Sequence, residues 1–559
     1  MRKKVVLLLS IIVILSSCMK GESADLILHN GSIFTLNDNN DIHQAIAIKD
    51  GKILEVGPER QILNKYGAEE YIDLQGKDLY PGWVDAHGHM LSYAKQKLSV
   101  DLIGCRSYDE MLIRIEKYQA LNNRKFIIGC GWDQNLWDGE MPNNELLSER
   151  FPNIPVCLFR IDGHALLANE YLIKKSNVFT IFNATPELNQ GGFYEVDTVL
   201  TTSEDGLIET IQPTGVFVDN AMNPILDEIP DFPTKELTTA LLEVQHELFM
   251  YGITGVHEAG MLHQEFQLID RLVNKEKLKL NIYGMLLPTD QNIAFARKTG
   301  IYNNNNLTIR SFKVFGDGAL GSRGAFLKHT YADKHNHHGY LTTSLEHMDE
   351  IANICHSIGY QMNTHAIGDS TNRLMLELYQ NIYDKNPDHR WRIEHAQVVD
   401  PKDFHLFAQA GVFPSVQPTH ATSDMKWAES RLGPDRMDGA YAFNSIYQQF
   451  GMIAIGTDFP IEYIDPFRTI NAAVNRKNKN NEPQNGFAKN ERLTFDACIK
   501  GMTFWAAMAS FQEKSLGTIE KGKDATLSIF IDKVRANEGY QQNFAHMVFI
   551  KGKKVYSVE

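Results

Sequence analysis

Leu79-Tyr80-Pro81-Gly82-Trp83-Val84-Asp85-Ala86-His87-Gly88-His89 is the stretch on which the reading of the fold turns. An apolar run from Pro81 to Asp85, opened by the turn residues Pro81-Gly82, ends in two histidines separated by one residue. An extended backbone points alternate side chains the same way, so both imidazoles can reach one metal ion. A pair of this spacing is common on protein surfaces. Its place at the end of a strand is what gives it weight.

Seven further apolar runs share that design: Gly252 to His257, Leu280 to Leu286, Ser311 to Phe315, Tyr360 to Thr364, Trp391 to Glu394, Val412 to Gln417 and Met452 to Thr457. Most end at a polar or ionisable residue, and each is followed by helix-like sequence. Eight strand-then-helix units predict an α/β chain whose catalytic domain is a (β/α)8, TIM-barrel-like parallel barrel. Barrel chemistry sits at the carboxyl ends of strands. There stand His365 after Thr364, His395 after Glu394 and Asp458 after Thr457. Any one of them has an ordinary reading as a satisfied core residue. Four histidines and an aspartate on one rim suit zinc or another first-row divalent ion.

Outside the barrel the pattern changes. Leu26 to Leu28 and Ser32 to Leu36 are short strands, and Ala45 to Lys49 and Lys52 to Val56 flank the hairpin pair Asp50-Gly51. Ala525 to Ile531, Met547 to Ile550 and Lys554 to Val558 look alike at the other end. Neither end has enough strands to stand alone, so both are expected to build one small β-sandwich. The division predicted is 18–78 and 511–559 for the sandwich and 79–510 for the barrel, with an insertion at about 100–245 where the strand rhythm lapses.

With 559 residues, 43% hydrophobic and 22% charged, the chain has ordinary globular usage. Its net charge of −14 excludes nucleic acid as a partner, because neutralising phosphates needs a basic face. Residues 1–17 read as a targeting segment: Arg2-Lys3-Lys4, then an apolar run from Val5 to Leu15 that is too short to span a bilayer. Leu15-Ser16-Ser17-Cys18 resembles the lipobox of exported bacterial lipoproteins, which implies cleavage before Cys18, a lipid on its sulfur and a tether to the bacterial cell envelope. The five later cysteines form no CxxC pair and are expected to be mostly buried thiols.

The order of HxH after strand 1, histidines after strands 5 and 6 and aspartate after strand 8 resembles the amidohydrolase superfamily, and within it the third amidohydrolase group of YtcJ-like hydrolases. Phe312-Lys313-Val314-Phe315-Gly316-Asp317-Gly318, His365-Ala366-Ile367-Gly368-Asp369 and Arg392-Ile393-Glu394-His395-Ala396 carry the likeness with the opening stretch. Arg160-Ile161-Asp162-Gly163-His164-Ala165 and the run Leu516 to Ala525 extend it. The resemblance implies a metal-dependent hydrolase of non-peptide carbon–nitrogen bonds (amide, imide or N-substituted formamide), with a metal-activated water as nucleophile. It assigns His87, His89 and Asp458 to one ion and His365 and His395 to a second. Lys313 falls on strand 4, where many members carry a lysine carbamate bridging two metals; unmodified, it leaves a site for one. Asp458 is then also the catalytic proton shuttle, and His164 corresponds to a position facing the pocket.

Other residues keep two readings. Asp85 and Glu394 either orient an imidazole or serve the strand ends. Arg323, in the glycine-rich Gly316 to Arg323 loop, either reaches a substrate carbonyl or carboxylate or stays solvated. Trp132 and Trp137 fit core packing better than a pocket wall, and His335, His337 and His338 fit a surface loop. Two rivals to the leading function stay open: a deaminase or cyclic-amide hydrolase on the same barrel, and a ligand-binding lipoprotein without activity.

Overall fold

The structure is a computed structural model that describes residues 22–137, 140–184, 191–203, 206–535 and 539–558. The signal segment and Cys18 lie outside the described residues. Eight parallel strands form the central sheet: β1 (Trp83–Gly88), β2 (Ile253–Met261), β3 (Asn281–Leu286), β4 (Leu307–Phe315), β5 (Gln361–Ala366), β6 (Arg392–His395), β7 (Phe413–Val416) and β8 (Ala454–Ile455). They are paired in chain order from β1 to β8. Backbone bonds from Asp458 N to His87 O (2.7 Å) and from His89 N to Phe459 O (2.8 Å) draw the segment after β8 against β1. Asp85 completes that seam, accepting from the backbone N–H of Thr457 at 3.0 Å and its hydroxyl at 2.6 Å. The approach tolerates no side chain at Gly456, where a Cβ would lie 2.4 Å from His87 N.

The strands are buried on both faces, so they read as continuous apolar runs. The helices between them cover the outside. In Leu345–Ile358, Met348, Ile351, Ala352 and Cys355 recur at helical spacing and face inward, and the hydroxyl of Ser344 accepts from His347 N at 3.2 Å. A cap of this kind contributes about 1 kcal/mol.

The two chain ends do share a lobe. One of its sheets runs Lys553–Ser557, Ala545–Ile550, Leu527–Phe530, Asp78–Pro81, Ser32–Phe34, Ile42–His43, so three C-terminal strands adjoin three N-terminal ones. The other holds Lys52–Gly57, Ala45–Lys49, Glu22–His29 and Tyr66–Asp73. Leu28, Ile46 and Ile53 meet Leu79, Leu527, Ile529 and Phe549 in one buried core. The opening motif is divided where the sequence reading joined it. Asp78–Pro81 belongs to the sandwich, pairing with Leu527–Phe530, and only from Trp83 does the chain enter the barrel. The Pro81-Gly82 turn lets one extended stretch feed two sheets.

The insertion is a layer of its own, with a mixed sheet ordered Gly192–Ser203, Gly206–Asp219, Ala165–Ala168, Val156–Arg160, Ile127–Trp132, Val100–Asp101. Trp132 sits in its core beside Met111, Ile115 and Leu158, with its indole N–H on Leu158 O at 2.7 Å. The helix Thr234–Met250 then returns the chain to the barrel beside Met90–Lys97. Cys105, Cys130, Cys157, Cys355 and Cys498 are free thiols. Among the described residues no helix is long and apolar enough to cross a membrane.

Candidate metal centre

The carboxyl ends of β1, β6 and β8 bring together His87, His395 and Asp458, whose ligand atoms all lie within 4.8 Å of one another. His89, one residue past β1, points its Nε2 at Asp458 Oδ1, 3.0 Å away. Lys313 reaches in from β4 to place its amine 3.2 Å from His87 Nε2. From β5, the His365 ring packs 4.5 Å from that of His395, and its buried Nε2 has no hydrogen-bond partner among the described residues. The two ligand sets implied by the resemblance thus meet in one cluster, with His395 beside His87 and Asp458. Backbone conformation follows the site: His395 (φ 75°) and Asp458 (φ 63°) hold left-handed geometry that non-glycine residues rarely adopt.

The electrostatics suit a cation. Burial, and then the Lys313 amine, push His87 down to about 4, and burial with neighbouring rings holds His365 and His395 well below the ordinary range. These are neutral imidazoles, the form that binds metal. Burial opposes the charge on Asp458, but His87, His420 and His89 outweigh it and keep the carboxylate ionised. Burial lowers Lys313 to about 8. Neutral buried nitrogens, one without a partner, around an anionic carboxylate form a donor set that fits a divalent ion.

Two residues beyond the cluster fix it. Glu394 Oε2 accepts from His87 Nδ1 at 2.6 Å and is itself held by Arg392, whose Nη2 also donates to Ala86 O at 2.6 Å. Of the two carboxylates considered as orienting groups, Glu394 touches an imidazole, whereas Asp85 serves the barrel seam and the backbone N–H of His87. Gln417 holds His395 Nδ1 at 2.7 Å.

His420 had no place in the sequence reading. It follows β7 in the helix Pro418–Asp424, and its Nε2 lies 3.2 Å from Asp458 Oδ2. The only cue was a histidine three residues beyond a strand end.

The expected substrate residues separate. His164, in the insertion, packs with its ring tilted 5.0 Å from the His365 ring. Arg323 is paired with Asp333, Nε to Oδ1 at 3.2 Å and Nη2 to Oδ2 at 3.0 Å, and has no contact with the cluster among the described residues. His337 and His338 hydrogen-bond the backbone carbonyls of Arg323 and Leu327.

A parallel eight-stranded barrel whose strand ends gather imidazoles and a carboxylate around one point defines a metal-dependent hydrolase of the TIM-barrel class. The chain belongs to the amidohydrolase family, whose model matches residues 70–556, and is a hydrolase of carbon–nitrogen bonds. It is 28% identical to the putative amidohydrolase YtcJ of Bacillus subtilis (strain 168), over 90% of this chain and 93% of that one. It is 22% identical to an N-substituted formamide deformylase of Arthrobacter pascens, over 90% of this chain and 93% of that protein. Among solved structures, an uncharacterized metal-dependent hydrolase from Pyrococcus horikoshii OT3 aligns with a TM-score of 0.72 and 25% identity, covering 92% of this chain and 98% of that one.

Proposed function

We propose that this amidohydrolase cleaves the carbon–nitrogen bond of small non-peptide substrates: amides, imides or N-substituted formamides. The observation that carries the reading is the convergence of His87, His395 and Asp458 at the strand ends, with His89, His365 and Lys313 around them. The activity named for the Arthrobacter pascens relative supports the substrate class. A divalent ion, zinc by the chemistry of these ligands, supplies Lewis acidity, acidifying water and polarising a carbonyl. His87, His89, His365, His395 and Asp458 would hold one or two such ions. Lys313, as a carbamate formed from its neutral amine and carbon dioxide, would bridge two.

The chain's own part is proton handling and orientation. Asp458, kept ionised by the imidazoles around it, accepts the proton of the attacking water and returns it to the leaving nitrogen. Glu394 fixes which nitrogen of His87 faces the site, and Gln417 does so for His395. The test is elemental analysis of the purified protein, then a screen of N-acyl compounds with and without a chelator. Chelator-sensitive release of amine supports the reading. Hydrolysis confined to cyclic amides or to ring amino groups would transfer the site to the deaminase alternative, and a loaded protein that turns over nothing would leave a binding lipoprotein.

The mature chain is proposed to begin at Cys18, lipid-anchored in the bacterial cell envelope, on the strength of Arg2-Lys3-Lys4, the Val5 to Leu15 run and Leu15-Ser16-Ser17-Cys18. Cys18→Ala should release the protein from membranes or leave it unprocessed; unchanged fractionation and processing would refute the anchor.

A further inference from the structure

His164 reaches the site from the insertion, and its imidazole is held from behind. Nδ1 lies 2.6 Å from Asp219 Oδ1, and the other carboxylate oxygen of Asp219 accepts from the Tyr340 hydroxyl at 3.0 Å. Asp219 N donates to His164 O at 3.0 Å, so backbone and side chain both bind the same residue. Asp219 is buried and adopts φ 50°, ψ −125°, a costly conformation for a non-glycine residue. The loop after β4 makes room for it: a Cβ on Gly318 would stand 2.2 Å from Asp219 Oδ2. Strain, a fitted cradle and two hydrogen bonds converge on one carboxylate whose purpose is to hold one ring.

The other edge of that ring is open. His164 Nε2 makes no hydrogen bond among the described residues, while the ring lies 5.0 Å from His365 and 6.5 Å from the partly exposed Phe315. Phe315 in turn packs 5.7 Å from His365, which sets an aromatic face beside a free imidazole nitrogen.

We propose that His164 hydrogen-bonds the acyl group of the substrate, that Phe315 receives an apolar or aromatic substituent beside it, and that Asp219 and Tyr340 are positioning residues that lock the His164 ring. The insertion then completes the site instead of merely covering it. The substrate class narrows to N-acyl compounds carrying an apolar group, a statement that rests on the amide-hydrolase reading above. Asp219, from the insertion, and Tyr340, beyond the loop after β4, make the clamp a joint between the two layers.

Two measurements test it. With p-nitroacetanilide as the probe, His164→Gln should raise KM at least 10-fold with metal content unchanged, and Tyr340→Phe should raise it 3- to 10-fold. The double variant should be no worse than His164→Gln alone, because Tyr340 acts only through that ring. Additive losses, or an unchanged KM in His164→Gln, would overturn the proposal. The second measurement needs no substrate: the crystal structure of full-length Asp219→Ala. Without the carboxylate 2.6 Å from Nδ1, the His164 ring should leave its place 5.0 Å from His365. A ring that keeps that place would overturn the clamp. A wild-type enzyme inert towards every N-acyl compound, with a His164 ring that does move in Asp219→Ala, would refute the amide reading and with it the substrate contact, and leave the clamp standing.

Discussion

Glu394 Oε2 and His87 Nδ1 stand 2.6 Å apart, both fully buried, across 307 positions of sequence. The carboxylate accepts the Nδ1 hydrogen bond, so that Nε2 faces Lys313 and the metal cluster. Burial alone would raise Glu394, but the Arg392 guanidinium and His87 hold it well below the usual carboxylate range. Glu394→Gln keeps the shape and removes the charge. Metal affinity, measured by chelator competition, should fall about 10- to 100-fold with the fold intact. Unchanged affinity would show that the pair is only structural.

Asp458 and Lys313 should fail in different ways. Asp458→Asn still offers an oxygen but cannot accept a proton, so it should keep much of its metal while losing about 10²- to 10⁴-fold in kcat. Lys313→Ala removes the group 3.2 Å from His87 Nε2 and should lose at least one ion and nearly all turnover. A short-chain carboxylic acid should restore part of that activity by occupying the vacated space. Full metal and full activity in Lys313→Ala would dismiss the bridging role.

His420 gives the metal-free protein a pH signature. Burial works against its charge, yet Asp458 at 3.2 Å and Glu462 at 3.4 Å outweigh it and raise the imidazole from 6.5 to about 10. A folded-state value above the unfolded one contributes stability that is complete below pH 6.5 and is lost as pH climbs towards about 10. In chelator-treated protein, His420→Gln should therefore lower Tm most at about pH 6, with the gap to wild type closing by about pH 10. A gap that does not vary with pH would refute the charged pairing.

Deleting residues 540–559 removes Ala545–Ile550 and Lys553–Ser557 and bares the Leu527–Phe530 edge. Phe549 and Met547 leave the shared core, each a loss of about 2–5 kcal/mol against a total stability of about 5–15 kcal/mol. Limited proteolysis should then cut within residues 22–73 of the truncated protein while sparing them in the full chain. Continued resistance would mean that the N-terminal strands do not depend on the C-terminal ones.

The sequence by itself determined the strands, their polar ends and the residues able to bind metal. Alternation, apolar runs and turn pairs such as Asp50-Gly51 act over a few residues, so they are legible without the fold. His87, His89, His365, His395 and Asp458 could be named because each sits at the end of such a run, whereas Lys313, inside the Ser311 to Phe315 run, was named through the family resemblance. Only the tertiary structure decided how they combine. It set His395 beside His87 and Asp458, supplied Glu394 to His87, brought in His420 and Asp219, and turned Arg323 to Asp333. It also divided the opening motif between two sheets, because Asp78–Pro81 finds its partner in Leu527–Phe530. These outcomes depend on the angle at which each strand end meets the barrel axis and on pairings hundreds of residues apart. Twist and register, which the closed sheet fixes as a whole, set those angles, and no local pattern carries them.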